Sequence, residues 1–195
     1  MGRFLLGLVI GIILVPLGVL AYLKWGSVPV AVADNPFPLE KSIDGEALHA
    51  RIEREMIKDP PIQPTAENLI AGAHIYGDSC ATCHGYHGQP SRIGQHEYPV
   101  APPLWEAHHN GKVVGVSDDP PGETYWKVAN GIRLTGMPAY KDTMSDTEMW
   151  QVSLLLANAD KPLPPEALSI LKGETAQKNP MEPQNEPVKK QGENK

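Results

Sequence analysis

Cys80-Ala81-Thr82-Cys83-His84 is the stretch that contains the only two cysteines of the 195-residue chain. Two thiols separated by two residues and followed at once by an imidazole form the C-x-x-C-H pattern of c-type haem attachment. The thiols can add to the two vinyl groups on one edge of a porphyrin, and the histidine can bind the iron as proximal ligand. The spacing therefore predicts one covalently bound haem c on Cys80 and Cys83, with His84 on the iron.

Two other uses of the cysteines have to be weighed against haem attachment. A thioredoxin-like redox pair would sit in a βαβ context, whereas the residues from Thr65 to Tyr76 have the spacing of a helix. A structural zinc site would need two further ligands, and His108-His109, or His87 with His96, are only loosely spaced for that role. Haem attachment is the better interpretation of the motif.

A sixth iron ligand has to come from elsewhere in the chain, and a thioether or a second imidazole is a common choice. Met137 is the strongest candidate, because Gly136 and Pro138 disfavour helix and strand around it. Met149 falls on the apolar side of a predicted helix, where a core role is the default. The alternatives are a surface role for Met137 and ligation by a second histidine, from the set His74, His87, His96, His108 and His109.

The apolar pattern predicts short helices joined by loops. Thr65 opens one helix that Gly77 is expected to end, Glu123–Asn130 fits a second, and the capping box Ser145-Asp146-Thr147-Glu148 opens a third. Residues 85–122 are rich in Gly, Pro and His and are expected to form ordered loops. No strand pattern appears, which favours an all-α protein.

In this order, the motifs resemble those of the class I cytochrome c family over about residues 65–160. The likeness includes Gly72 and Tyr76 in the first helix, the Cys-Ala-Thr-Cys-His-Gly motif, Met137 in its loop, and Trp150 in the last helix. It implies an all-α class I cytochrome c fold around one haem, in which a small residue of the first helix meets an aromatic residue of the last. It also implies His84/Met137 ligation and one-electron transfer at an exposed haem edge, so we expect an electron carrier and not an enzyme. A haem enzyme or gas sensor with an open iron position is the alternative.

The same resemblance implies contacts around the haem. A proline carbonyl should hold the second nitrogen of the proximal imidazole and fix the ring. Arg92, Trp105 and Arg133 are candidate donors to the haem propionates, and solvated or packing roles explain them equally well. The candidate prolines are Pro90, Pro99, Pro102 and Pro103.

Phe4–Leu23 is an uncharged run long enough, at ~1.5 Å per residue, to span the ~30 Å hydrocarbon core of a bilayer. Arg3 precedes it and Lys24 and Trp25 follow it, which suits a membrane anchor. Ala31-Val32-Ala33 looks like a cleavage site, so a signal peptide is the alternative. Either reading puts the body on the extracytoplasmic (periplasmic) face of the membrane, anchored if uncleaved and soluble if cleaved.

We expect four segments along the chain. The helix predicted over Ile43–Lys58 is either part of a free spacer or packed on the main domain. The tail from Gly173 has too few apolar residues to fold. The segments are a transmembrane anchor or signal peptide (1–25), a linker with one amphipathic helix (26–63), a cytochrome c domain (64–163), and a short helix with a disordered tail (164–195).

Charge narrows the expected partners. The net charge is −6 with no basic excess, which argues against nucleic acid. Pro64–Leu163 carries eleven acidic and six basic side chains, a net charge of −5. We therefore expect redox partner proteins, and the acidic sum would steer a partner with a positive rim towards the domain.

Overall fold

The computed structural model describes residues 1–38 and 40–174, and most of the tail expected to be disordered, residues 175–195, lies outside the described ranges. The described chain forms two compact units, Met1–Arg51 and a unit that begins at Ile52. Seven α-helices, one 3-10 turn at Gly94–His96 and one short ribbon appear in the described ranges, which confirms the all-α class. They are α1 (Gly2–Trp25), α2 (Glu40–Glu55), α3 (Ala66–Ser79), α4 (Ala81–His84), β1 (Ala107–His108), β2 (Val113–Val114), α5 (Pro121–Asn130), α6 (Asp146–Leu156) and α7 (Pro165–Leu171).

Helix α1 has the length and composition of a membrane span. Its 24 residues have a mean hydropathy of 2.8 over the most apolar window, and none of them is buried within the protein. A helix this long rises about 36 Å, enough for the ~30 Å hydrocarbon core. It is therefore a candidate membrane anchor, and a signal sequence would have the same properties.

The C-terminal end of α2 belongs to the second unit and packs on α5. Ile52 is buried, and the indole Nε1 of Trp126 donates a 3.0 Å hydrogen bond to Glu55 Oε2. The Ile57 backbone crosses Gly122, where an added Cβ would lie 2.9 Å from the Ile57 carbonyl carbon. Residues 52–57 therefore do not act as a free spacer, while the boundary expected at residue 64 stays a prediction.

The core of the second unit forms where α3 meets α6 and α7. Gly72 of α3 lies against the backbone of α6, so that a Cβ there would come 2.8 Å from the Gln151 carbonyl carbon and 3.1 Å from Leu155 Cβ. Trp150, the residue before Gln151 in α6, stacks its ring on Tyr125 at 4.2 Å between centroids. The small residue predicted at this crossing thus meets the α6 backbone, while the aromatic residue pairs with α5.

Local signals explain the helix starts better than the helix ends. Thr65 Oγ1 accepts from Asn68 N at the start of α3, and Ser145 and Glu148 form both hydrogen bonds of the predicted capping box of α6. The prediction that Gly77 ends α3 is wrong, because the helix continues to Ser79. After α3 and α4, the chain first takes a positive φ at Gly85 (φ 78°).

The loops between α4 and α5 contain the one departure from an entirely helical pattern in the described ranges. β1 and β2 pair as an antiparallel ribbon, Ala107 opposite Val114 and His108 opposite Val113. Asn110 and Gly111 at its tip have φ of 61° and 78°. Asn-Gly is a recognised hairpin signal, so the expectation of no strand missed a readable feature.

Candidate haem site

The attachment motif is built on the end of α3 and the single turn of α4. The amides of Cys83 and His84 both donate to the Cys80 carbonyl, at 3.1 and 2.9 Å, which puts the two thiols one helical turn apart. The chain then reverses at Gly85, whose carbonyl accepts a 2.7 Å hydrogen bond from the buried Tyr76 hydroxyl. The motif is thus fixed to the helix that precedes it.

The His84 ring is oriented by a backbone carbonyl. Its Nδ1 lies 2.7 Å from the Pro102 oxygen, which singles out Pro102 among the four candidate prolines. Because a carbonyl can only accept, Nδ1 carries the proton and Nε2 keeps its lone pair. That nitrogen is therefore the one able to bind a metal.

Both thiols are half-buried. Burial, together with the nearby Cys83, raises the pKa of Cys80 to about 12. Burial also raises the pKa of Cys83, helped by Glu97, whose Oε1 accepts from the Cys83 thiol at 3.2 Å. A thioredoxin-like pair needs a lowered pKa, so these thiols do not fit that alternative.

The zinc alternative also lacks support in the folded chain. Across residues 1–38 and 40–174, no group of three or more His, Cys, Asp or Glu side chains is arranged to hold a metal ion. A closed structural zinc site needs four ligands. The two cysteines and His84 therefore fit a single covalent cofactor better than a zinc ion.

Met137 lies half-buried on a closed loop that packs against the core. Its carbonyl accepts from Ile132 N at 3.3 Å, and its amide donates to Thr135 Oγ1 at 3.1 Å. At the end of this loop, the Tyr140 hydroxyl donates a 2.8 Å hydrogen bond to the Ser79 carbonyl. The Met137 loop is therefore tied directly to the residue that precedes the attachment motif.

Glu97 forms a second link that the sequence did not suggest. One carboxylate oxygen accepts from the Cys83 thiol, and the other lies 2.9 Å from where a Cβ at Gly136 would be. The link joins the attachment motif to the Met137 loop across long stretches of chain. No local pattern could have revealed it.

The other candidate ligands fit less well. Met149 is 2% exposed within the core, as predicted, and Met144 packs against the same core. The alternative histidines are exposed, and two of their rings already contact carbonyl oxygens, His96 Nδ1 that of Arg92 and His108 Nε2 that of Gly115. The exposed set is His74, His87, His96, His108 and His109.

The surroundings of Trp105 provide an independent test of whether a haem fits. The side chain is 4% exposed, yet its Nε1 makes no hydrogen bond within the described chain. Burial raises the pKa of the neighbouring Tyr76 hydroxyl, and the Trp105 indole offsets part of that rise. The two groups are not in hydrogen-bond geometry. A buried donor without an acceptor is rare in proteins, and a haem propionate would satisfy it. The site therefore fits the group that the motif predicts.

Comparison with known proteins agrees with this chemistry. Residues 67–154 match the family described as cytochrome c oxidase, cbb3-type, subunit III. The matched range begins in α3, ends in α6 and includes Cys80, Cys83, His84 and Met137. No curated protein and no solved structure matched the chain.

Proposed function

Because the matched residues form a c-type cytochrome domain, which binds haem and transfers electrons, we propose that this chain carries one covalent haem c and passes one electron at a time. Cys80 and Cys83 would hold the haem through thioether bonds, and His84 and Met137 would bind its iron. One haem is proposed because the chain has a single C-x-x-C-H motif.

The 2.7 Å contact between His84 Nδ1 and the Pro102 carbonyl is the observation that carries this proposal. It fixes the tautomer, holds the ring in one orientation and makes Nε2 a better donor to iron. Haem supplies reversible one-electron chemistry when it is bound. The chain's own part is to hold both ligands still, so that little rearrangement accompanies the change of charge.

The closed Met137 loop favours an electron carrier over a haem enzyme or gas sensor. An enzyme or sensor needs an iron position that is open or easily vacated, whereas this loop is held by its own hydrogen bonds and by the bond between Tyr140 and Ser79. Two protein ligands leave the iron no free position for substrate. We therefore propose electron transfer without catalysis at the haem.

We further propose that the cytochrome domain works on the extracytoplasmic, periplasmic face of a membrane with α1 as its anchor. The description of the matched family names an oxidase subunit, which suits a haem subunit of a respiratory or dehydrogenase complex as well as a tethered carrier. Mass spectrometry of the mature N-terminus distinguishes the anchor from a cleaved signal peptide.

The ligand assignment is tested by absorption spectroscopy of the full haem-loaded chain. The wild type should be low-spin in both oxidation states and show a sulfur-to-iron charge-transfer band when oxidised. Met137→Ala should abolish that band and give a high-spin ferric spectrum. Met144→Ala is the matched control, because Met144 is also half-buried against the core.

Covalent attachment is tested separately by acid–acetone extraction. Cys80→Ser with Cys83→Ser should release the haem, while the wild type should retain it.

A Met137→Ala spectrum identical to that of the wild type would contradict the assignment of the distal ligand.

A further inference from the structure

The C-terminal end of α7 holds the turn that follows the attachment motif. Leu171, the last residue of α7, has a carbonyl that accepts a 2.9 Å hydrogen bond from His87 N. The next carbonyl, that of Lys172, accepts from Gln89 Nε2 at 3.5 Å. The last carbonyls of a helix have no partner in a following helical turn, so donors from elsewhere in the chain can satisfy them. The turn formed by residues 86–89 is therefore attached to the end of α7.

Helix α7 is a firm support for this turn, because it is part of the core. Ala167 and Leu171 are fully buried, and Ile170 is 4% exposed. The helix packs on α3, where a Cβ at Gly77 would lie 3.7 Å from Ile170 Cγ2. The Gly77 carbonyl also lies 3.4 Å from the Tyr86 hydroxyl, which belongs to the turn and donates to it. The end of α7, the turn and the helix that leads into the motif therefore form one packed group.

The turn is also tied to the residues between the two cysteines. The backbones of Tyr86 and Gln89 exchange two hydrogen bonds, each 2.9 Å long, which close the turn. Two residues later, the Ser91 hydroxyl donates to the Thr82 carbonyl and accepts from Gly94 N at 3.0 Å. These bonds connect α7, through the turn, to the attachment motif.

The chain that leaves the turn leads to the acceptor for the proximal imidazole. Gly94 lies against the Cys83 backbone, with no room for a side chain, and its carbonyl accepts from Ala101 N at 3.0 Å. The next residue is Pro102, whose carbonyl lies 2.7 Å from His84 Nδ1. This segment is therefore held at its start by α7 and at its end by the pairing of Gly94 with Ala101.

We infer that α7 is a positioning element for the proximal histidine. The Leu171 carbonyl, through the His87 amide, fixes the start of the segment that ends at the Pro102 carbonyl, and this carbonyl holds the His84 ring. Leu171 and His87 act through Pro102 and are positioning residues. The inference rests on the proposed function, because it requires haem iron on His84.

The haem-binding unit then extends beyond the range that identifies the family. The matched range ends at residue 154 and the predicted cytochrome domain at residue 163, whereas α7 begins at Pro165. The alternative is that α7 only stabilises the core by burying Ala167 and Leu171. The two roles differ in whether loosening α7 changes the iron and its proximal ligand.

The expected effect on the iron follows from the hydrogen bond of the proximal imidazole. An imidazole that donates a strong hydrogen bond from its other nitrogen is a more basic ligand, which stabilises ferric over ferrous iron. If the Leu171 contact is lost, the bond from His84 to Pro102 should loosen. The midpoint potential should then rise, and the Nδ1 proton of His84 should exchange faster with solvent.

His87→Pro tests the contact directly in the haem-loaded full chain, because proline has no amide proton to donate to Leu171. His87→Ala is the matched control, since it removes the same imidazole and keeps the amide. Voltammetry should give a higher midpoint potential for His87→Pro and an unchanged one for His87→Ala. Proton NMR of the ferrous protein should show several-fold faster exchange of the His84 Nδ1 proton in His87→Pro only.

Two results with these variants would overturn the inference. A lower melting temperature in His87→Pro, with the potential and the proton exchange of the wild type, would show that α7 only stabilises the core. Equal shifts in His87→Pro and His87→Ala would assign the effect to the imidazole. A low-spin spectrum with the sulfur-to-iron band in wild type and His87→Ala keeps a failure here distinct from a failure of the proposed function.

Ile170→Ala provides a second test that leaves the turn itself unaltered. It removes a buried side chain of α7, so hydrogen exchange should become several-fold faster both at the His87 amide and at His84 Nδ1. Met149→Ala is the control, because Met149 is equally buried but lies beside α5, and it should leave both rates unchanged. Faster exchange at the His87 amide without faster exchange at His84 Nδ1 would contradict the link between α7 and the proximal histidine.

Discussion

At the scale of single residues, the close approach of α3 and α6 depends on the absence of a side chain at Gly72. In Gly72→Ala the new Cβ would meet the Gln151 backbone, which cannot move without moving α6. We expect a loss of about 1–3 kcal/mol in the free energy of unfolding, measured by denaturant titration. Gly77→Ala on the same helix is the control, because its Cβ would meet only Ile170 Cγ2 at 3.7 Å. That change should be neutral or should stabilise by up to about 1 kcal/mol.

The hydrogen bond from Tyr140 to Ser79 should control how easily the Met137 loop opens. Tyr140→Phe removes a bond worth about 1 kcal/mol, so added imidazole should displace the distal ligand with about five-fold higher apparent affinity, measured by spectral titration. Tyr86→Phe is the control, since its hydroxyl makes only a 3.4 Å contact with the Gly77 carbonyl. Equal imidazole affinity in wild type and Tyr140→Phe would show that this bond does not hold the loop closed.

Residues whose chemistry depends on near neighbours could be predicted from the sequence. The motif at Cys80–His84 and the flanks of Met137 are local patterns, and so they lead directly to candidate ligands. Pro102 could only be one of four prolines, because it lies 18 positions along the chain from His84. Glu97 could not be predicted, because only the fold brings it to Cys83, and Trp105 could be no more than one of three candidate donors to the propionates.

At the scale of elements, the N-terminus of α6 depends on the charge of Glu148. Hydrogen bonds from the Ser145 backbone, then from its side chain, lower the pKa of Glu148 below 4.5. A carboxyl group whose pKa is lower in the folded state stabilises the fold at pH values above its unfolded pKa of 4.5. This stabilisation is lost as the pH falls through the folded pKa. The stability difference between wild type and Glu148→Ala, measured by thermal unfolding, should therefore shrink below pH 4.5. Ser145→Ala should keep most of this pH dependence, since the backbone bond is the larger cause.

Helix ends were predictable where a side chain caps the helix. They were unpredictable where tertiary contacts determine how far the helix extends. The pair Ser145 and Glu148 predicts the start of α6, and this prediction is confirmed. Gly77 was expected to end α3, but a glycine ends a helix only if the chain needs its freedom there. In this fold the positive φ occurs at Gly85. Helix α3 packs on α6 and α7 and continues to Ser79.

At the scale of the whole molecule, residues 52–57 are fixed to the unit that contains the attachment motif. In Gly122→Ala the new Cβ would collide with the Ile57 backbone and displace residues 52–57 from α5. We expect faster proteolysis at Lys58, measured by limited trypsin digestion and mass spectrometry, with an unchanged haem spectrum. Gly88→Asn is the control, because asparagine tolerates the positive φ at this position and nothing lies within 4 Å of the added Cβ. Cleavage at Lys58 that is equally slow in both variants would contradict this packing.

The hydrogen bond from His84 to Pro102 has a consequence for how this protein can vary. Its acceptor is a main-chain oxygen, which every amino acid at that position would also supply. A scan of side chains at this position would therefore report Pro102 as dispensable, even while its carbonyl holds the His84 ring. The acceptor is lost only when the path of the loop changes, through an insertion, a deletion or a rearrangement. The orientation of the His84 ring therefore depends on the path of this loop and not on the identity of the side chain at position 102.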